Sequence, residues 1–275
     1  MSWYAVRVAV GNDAARGRVV EALVAAGASA VQEGAAELVT HLTGDTDFEA
    51  LARAVTAAGG GALDRTLLPD ADWSAEWKAR VGVQRLGRIA VAPPWLADEV
   101  AAAELPVIIE PAMAFGTGEH ETTRGVLTLM QEVVRPGQTV ADLGAGSAVL
   151  AIAAVKLGAR RAIAIEIDDD AMGNADANVR RNGVEAQVTL IRGDAAALLP
   201  LIAPVHVIVA NIISSVIVEL APAMRRALAP GGRAVISGIL RAERDQLADV
   251  LAADRWTVER ELTEGEWWSS VIAPR

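Results

Sequence analysis

The spacing of apolar and polar positions changes character along the chain, and that change divides it. Trp3 to Val10 mixes β-branched and aromatic residues as a strand does, and Ala14 to Ala26 shifts to helical spacing, with Val19, Val20, Leu23 and Val24 on one stripe. Gly27 ends that helix. Apolar stretches from Ala30 to Glu33 and Glu37 to Leu42 follow, then an amphipathic stretch from Asp47 to Ala58 and a strand from Ala62 to Leu68. The order β-α-β-β-α-β is that of the ferredoxin-like split unit. Pro69 and Asp70 punctuate its end, so we expect a small α+β domain over 1–69 and a linker over 70–82.

The linker carries Trp73 and Trp77 at helical i, i+4 spacing, which suits a connector docked on a domain. Val83 to Ala92 reads as one strand, stopped by Pro93, Pro94 and Trp95. From residue 139 onward, strands alternate with helices of ten or more residues. The strands are Thr139 to Leu143, Ala162 to Ile167, Gln187 to Ile191, Val205 to Ala210 and Arg233 to Ile239. Their near-continuous apolar character predicts a parallel sheet covered on both faces, an α/β domain over 83–275. Trp256 to Leu262 and Glu266 to Ala273, joined through Gly265, predict a closing hairpin that adds an antiparallel strand at the edge.

Composition narrows the chemistry. At 275 residues with 52% apolar side chains, the chain suffices for two packed domains. It has no cysteine, which excludes disulfides, thiolate metal sites and a cysteine nucleophile. Its three histidines, His41, His120 and His206, are too dispersed to suggest a metal pair, so no metal is expected. A net charge of -10 disfavours direct nucleic-acid binding and anionic membranes, and favours a basic partner. No apolar run is long enough to span a bilayer and no signal peptide is legible, so a soluble cytoplasmic protein is the expectation, and a monomer is expected beside it.

In a parallel sheet of this kind, ligands bind beyond the carboxyl ends of the strands. The first strand ends in Asp142-Leu143-Gly144-Ala145-Gly146-Ser147, where glycines permit a tight turn with backbone against a ligand. A dinucleotide fingerprint would need a third glycine at Val149. Glu166 ends the second strand, with Ile167 beside it, where a carboxylate can take both hydroxyls of a ribose. Glycine turn plus ribose acid indicates a nucleoside, and Asp142 suits the ammonium of an aminoacyl tail better than a pyrophosphate. This favours S-adenosyl-L-methionine over NAD as the cofactor. Asp194 can take an adenine amine or simply close a turn. Asn211, at the fourth strand's end, can accept a hydrogen bond from an incoming amine and aim its lone pair for in-line displacement, or cap the next helix. Phe115-Gly116-Thr117-Gly118-Glu119-His120-Glu121-Thr122-Thr123 is dense in hydrogen-bonding groups ahead of a helix, and His120 is a candidate base.

This segment, the glycine turn, Asn211-Ile212 and a tail of Gly265-Glu266-Trp267 closely resemble the PrmA family, methyltransferases of large-subunit ribosomal protein eleven. The resemblance runs nearly end to end. It implies a Rossmann-like class I methyltransferase sheet with a small N-terminal ferredoxin-like domain that recognises the substrate. It also implies methyl transfer to lysine and N-terminal amines of a basic ribosomal protein, with Thr123, Gly144, Glu166 and Asn211 at cofactor-contacting positions. The candidate cofactor contacts are thus Phe115, Gly116, Thr117, Thr123, Asp142, Gly144, Gly146, Glu166, Ile167, Asp194 and Asn211. Asn211 and His120 are the candidate catalytic residues. The chain departs from the family at Glu119 and Glu121, where threonine and proline are usual, and at Ala112 and Ala148, where glycine is.

Overall fold

The computed structural model describes residues 3–28, 31–34, 36–67, 81–111, 116 and 118–275. Phe115, Thr117, Ala112, Trp73 and Trp77 lie outside the described residues, as does the linker from 70 to 80. The chain divides into two compact units, residues 1–80 and 81–275.

In the first unit, strand β1 (Trp3–Val10) is followed by helix α1 (Asp13–Ala25), β2 (Val31–Glu33), β3 (Glu37–Thr43), α2 (Phe48–Ala57) and β4 (Gly60–Leu67). The sheet order is β2-β3-β1-β4 and every pairing is antiparallel, the ferredoxin-like arrangement the sequence predicts. Alternation explains the layering. Val6, Val8 and Val10 point from β1 to one face and are buried with Val19 and Leu23 of α1 and Leu51 and Val55 of α2. Asn12 accepts from the Ala15 amide at 2.9 Å and Asp47 from the Ala50 amide at 2.9 Å, so each helix starts on a side-chain cap.

The second unit begins with a small sheet. The single strand expected over 83–92 is instead a hairpin, β5 (Gln84–Leu86) and β6 (Ile89–Ala92), broken at Gly87 with φ +58°. A further strand, β7 (Leu105–Ile108), pairs parallel to β6. The large sheet follows. Its elements are α3 (Glu121–Val133), β8 (Thr139–Leu143), α4 (Val149–Lys156), β9 (Arg161–Glu166), α5 (Asp169–Arg181), β10 (Val188–Arg192) and α6 (Ala195–Ile202). They continue through β11 (Val205–Asn211), α7 (Ser214–Ala227), β12 (Leu228–Leu240), α8 (Arg244–Ala253), β13 (Trp256–Glu264) and β14 (Trp267–Pro274).

Strand order is β10-β9-β8-β11-β12-β14-β13, with the first five strands parallel and β14 antiparallel to both its neighbours. The closing hairpin therefore adds two strands, and the later one lies inside. Burial accounts for this: β14 presents Trp268, Ser270, Val271 and Ile272 as buried, whereas β13 carries exposed Glu259, Arg260 and Glu261 fit for an edge. Successive residues serve opposite cores. Val207 and Val209 pack with Val126 and Met130 of α3, while Ile208 and Ala210 pack with Ile217, Leu220 and Met224 of α7. Order reverses between β8 and β11, which opens a crevice at their carboxyl ends.

Candidate active site

A cavity of about 510 Å³ occupies that crevice. Gly144, Gly146, Glu166, Ile167, Asp194, Asn211, Thr123 and Gly116 all line it, so residues from five separate stretches of the sequence meet in one place. Ile165, Leu143, Leu220, Val216 and Ile212 supply its apolar wall.

The turn after β8 is shaped by conformations few side chains adopt. Gly144 has φ +71° and Gly146 φ +51°. A Cβ on Gly144 would stand 2.6 Å from Ile212 Cγ2, so the absence of a side chain keeps the cavity open there. Ala148 is also left-handed, with φ +64°, and fully buried, a conformation that costs alanine roughly 1–2 kcal/mol.

Glu166 is held by three backbone amides. Its Oε2 accepts from Gly146 N at 2.7 Å, and its Oε1 from Ile167 N at 2.8 Å and Asp168 N at 2.9 Å. An ionised carboxylate offers about four acceptor positions, so the one left is on Oε2. The carboxylate that the sequence offers to a ribose thus also locks the glycine turn, through Gly146 N. Asp194 lines the cavity and caps α6, accepting from Ala196 N at 2.9 Å, so the turn-closing reading of it is what the structure displays.

Asp142 corrects the sequence reading. It shares strand parity with Val140, faces α4 rather than the cavity, and is fully buried. Oδ2 accepts from Ala151 N at 2.9 Å, in the first turn of α4, while Oδ1 has no hydrogen-bond partner among the described residues. Burial pushes its carboxyl up to about 7, the Ala151 amide opposes that, and nearby Glu166 adds to it. The carboxylate therefore supports the turn from beneath and is not part of the cavity lining.

His120 is likewise engaged elsewhere. It is the N-cap of α3, its Nδ1 lying 2.8 Å from Thr122 Oγ1 and accepting from Thr122 N at 3.3 Å. Its ring meets Trp267 edge-on with centroids 5.1 Å apart, and it is not among the cavity-lining residues. Thr122 and Thr123 stand inside the first turn of α3 rather than ahead of it. Arg124 stands among the acids Glu119, Glu121 and Glu264, with the Glu264 carboxylate as its closest ion-pair partner. Its Nε donates to Glu264 Oε1 at 3.0 Å, its Nη1 to the Glu119 carbonyl, and its Nη2 lies 3.9 Å from Glu121. Hydrogen bonds to Glu264 hold this guanidinium above its ordinary range.

Asn211 ends β11 with the parity of Val207 and Val209, which turns it toward α3. Its Nδ2 donates to Thr123 Oγ1 at 3.2 Å, fixing the carboxamide plane, and its buried Oδ1 has no partner among the described residues. Sequence reasoning missed the residue behind it. Gly238 in β12 has φ +83°, and a Cβ there would stand 2.5 Å from the Ile212 carbonyl oxygen. A glycine inside a strand pattern was the available signal of such a close backbone approach.

Among the described residues, no group of three or more His, Asp or Glu side chains is placed to hold a metal ion, and no helix is long and apolar enough to cross a membrane. The family profile described as "Ribosomal protein L11 methyltransferase (PrmA)" matches residues 5–274. The ribosomal protein L11 methyltransferase of Thermus thermophilus is 41% identical over 198 residues, covering 72% of this chain and 76% of that protein. That of Leuconostoc citreum is 35% identical over 285 residues, covering 97% of this chain and 96% of its own length. The crystal structure of ribosomal protein L11 methylase from Lactobacillus delbrueckii subsp. bulgaricus superposes with a TM-score of 0.64 at 30% identity, over 71% of this chain and 100% of that one. With fold, cavity and relatives in agreement, this chain belongs to the ribosomal protein L11 methyltransferase (PrmA) family.

Proposed function

We propose that this protein transfers methyl groups from S-adenosylmethionine to lysine side-chain and N-terminal amines of a ribosomal protein. The observation that carries the reading is Asn211: a carboxamide at the cavity wall, oriented by Thr123, whose acceptor oxygen is buried and unpaired among the described residues. Such an oxygen is costly unless a donor meets it, and an amine N–H is a donor. When bound, S-adenosylmethionine supplies a methyl carbon activated by a sulfonium leaving group.

The residues present fit that donor. A cavity of about 510 Å³ is the size small-molecule sites take. Gly144 and Gly146 give backbone access, the remaining Oε2 position of Glu166 suits a ribose hydroxyl, and Ile167 and Asp194 stand on the adjoining wall. A dinucleotide fits poorly. Its pyrophosphate would seek the N-terminus of α4, where Ala151 N already donates to the buried Asp142 carboxyl.

The chain's own part in the chemistry is alignment and exclusion of water. Asn211 Oδ1 accepts one amine hydrogen, which turns the nitrogen lone pair away from the carboxamide and into the cavity. The amine must be neutral first. For a lysine of pKa ~10.4 at pH 7 this costs about 4.6 kcal/mol, and for an α-amine of pKa ~7.8 about 1 kcal/mol. His120 contributes by starting α3, which carries Thr123, and so holds Asn211 indirectly.

The first unit is assigned to substrate recognition. Its helices cover one face of the sheet, and on the other Trp3, Arg7 and His41 are exposed. An overall charge of -10 suits a basic protein partner, and a ribosomal one places the reaction in the cytoplasm. The test is incubation of purified protein with labelled S-adenosylmethionine and cell lysate, followed by mass spectrometry of labelled species. Label on amines of one ribosomal protein is the expected result. Label confined to a soluble small molecule, or binding without any transfer, would refute it.

A further inference from the structure

Three asparagines, two on α5 and one at its C-cap, form a feature that neither the motifs nor the cavity explains. Asn174, Asn178 and Asn182 recur at four-residue intervals and so share one helix face. On a surface helix such a row would simply meet water. Here Asn178 is fully buried and Asn182 nearly so.

Their partners are main-chain groups of the segment leaving β7. Ile108 N donates to Asn182 Oδ1 at 2.8 Å, and Asn182 Nδ2 donates back to Ile108 O at 2.6 Å. Glu110 N donates to Asn178 Oδ1 at 2.9 Å, and Asn174 Nδ2 to Glu110 O at 3.2 Å. The helix thus supplies, through side chains, the bonds an adjacent strand would have given. Asn178 does one thing more. Its Nδ2 donates at 3.2 Å to the carbonyl of Ser147, the residue that follows the Gly144–Gly146 turn. Ser147 Oγ in turn donates at 2.7 Å to the carbonyl of Gly116, which lines the cavity. With Arg181 Nη1 on Oδ1 at 3.1 Å and Asn174 Oδ1 at 3.3 Å from Nδ2, both donor and both acceptor positions of the Asn178 carboxamide are used.

We propose that Asn178 is a positioning residue for methyl transfer, which fixes the Ser147 carbonyl, and with it the glycine turn and the Gly116 wall, to the chain at Glu110. The inference rests on the reading of the cavity as the S-adenosylmethionine site. Asn178→Asp keeps the acceptor for Glu110 but sets a carboxylate oxygen against the Ser147 carbonyl, so the turn must move. Asn182→Asp disrupts the same helix face at Ile108 and does not touch the turn, and is the control for a purely structural role.

The experiment measures S-adenosylmethionine Kd by calorimetry, kcat and acceptor KM for the wild type and both variants, with folding checked by circular dichroism. We expect Asn178→Asp to weaken donor binding at least tenfold and to lower kcat at least tenfold, and Asn182→Asp to leave donor Kd within twofold. Equal effects of the two substitutions on donor Kd, whether large or negligible, would overturn the inference. Should Asn178→Asp fail to fold, Ser147→Ala, which removes the Gly116 tether together with a long 3.4 Å acceptor for Val149 N, carries the test. A fivefold or larger loss of kcat with unchanged melting supports the proposal, and kcat and Kd within twofold of wild type overturn it. Wild-type protein that takes up no S-adenosylmethionine would refute the donor-site reading itself, which separates that failure from this one.

Discussion

Gly125 sits in the middle of α3, where alanine would ordinarily stabilise a helix by about 1 kcal/mol. Here the sign should reverse. A Cβ at this position would lie 2.2 Å from Ser269 Oγ and 3.0 Å from Ser269 Cβ, closer than those atoms can stand. Ser269 cannot simply swing aside, because its hydroxyl is paired at 2.7 Å with that of Ser237 and both residues are buried. Overpacking of this kind costs about 1–3 kcal/mol, and a buried hydroxyl left unpaired a further 1–3. Set against the helix gain, Gly125→Ala should destabilise the second unit by about 3 kcal/mol, or roughly 6–12 °C in melting temperature for a unit of this size. Thermal unfolding by calorimetry measures it directly. The double variant Gly125→Ala, Ser269→Ala removes the oxygen from the clash, so the pair should be less damaging than the sum of the single changes by at least about 1 kcal/mol. Function should follow, since Thr123 lies two residues upstream and holds Asn211. A Gly125→Ala protein that melts at or above the wild-type temperature, or strict additivity with Ser269→Ala, would refute this account of the α3–β14 contact.

Asp142 predicts a pH-dependent stability. Its folded carboxyl titrates near 7 against about 3.9 unfolded, so between those values the unfolded chain has released a proton that the folded one keeps. Stability from this group is complete below pH ~4 and lost as pH rises through about 7, by about 4 kcal/mol at most. Asp142→Asn should therefore gain on the wild type in urea midpoint as pH goes from 4 to 8, and a constant difference across that range would contradict the assignment. Asn211→Ala should lower kcat at least a hundredfold while S-adenosylmethionine Kd, by calorimetry, changes less than threefold; equal losses in both would make Asn211 a wall of the pocket only. Gly238→Ala presses a methyl group on the backbone of Ile212, whose oxygen, carbon and nitrogen would all lie within 2.9 Å of it. Steady-state assays should find kcat reduced at least a hundredfold, and retention of wild-type turnover would show that the Asn211 turn does not depend on this contact.

How much of this was legible in the sequence depends on where the governing contacts lie. Strands such as β9 announced themselves because burial on both faces demands an apolar run, here Ala162 to Ile165. Strand β7 did not, since it is only four residues long and holds Pro106; at the edge of a three-stranded sheet a missing amide does little harm. The hairpin's inversion was readable from charge, with Glu259, Arg260 and Glu261 marking β13 as the outer strand. In the site, Gly144, Glu166, Asp194 and Asn211 converge because a parallel sheet gathers the residues that follow its strands at one end, so chain position alone located them.

Direction was harder to read than position. An acid two residues before a glycine turn looks like a ligand contact, yet strand parity places Asp142 with Val140, against α4, and its hydrogen bond to Ala151 follows from that. The parity was available in the sequence; what was not available was the register of α4 above it. The asparagines of α5 mark the outer limit. Polar residues spaced by four on a helix look the same whether they face water or the backbone of a distant segment, because the partner at Glu110 is 68 residues from Asn178. Where a side chain's role is to satisfy main-chain groups brought in by topology, its chemistry is visible only after the fold has been built.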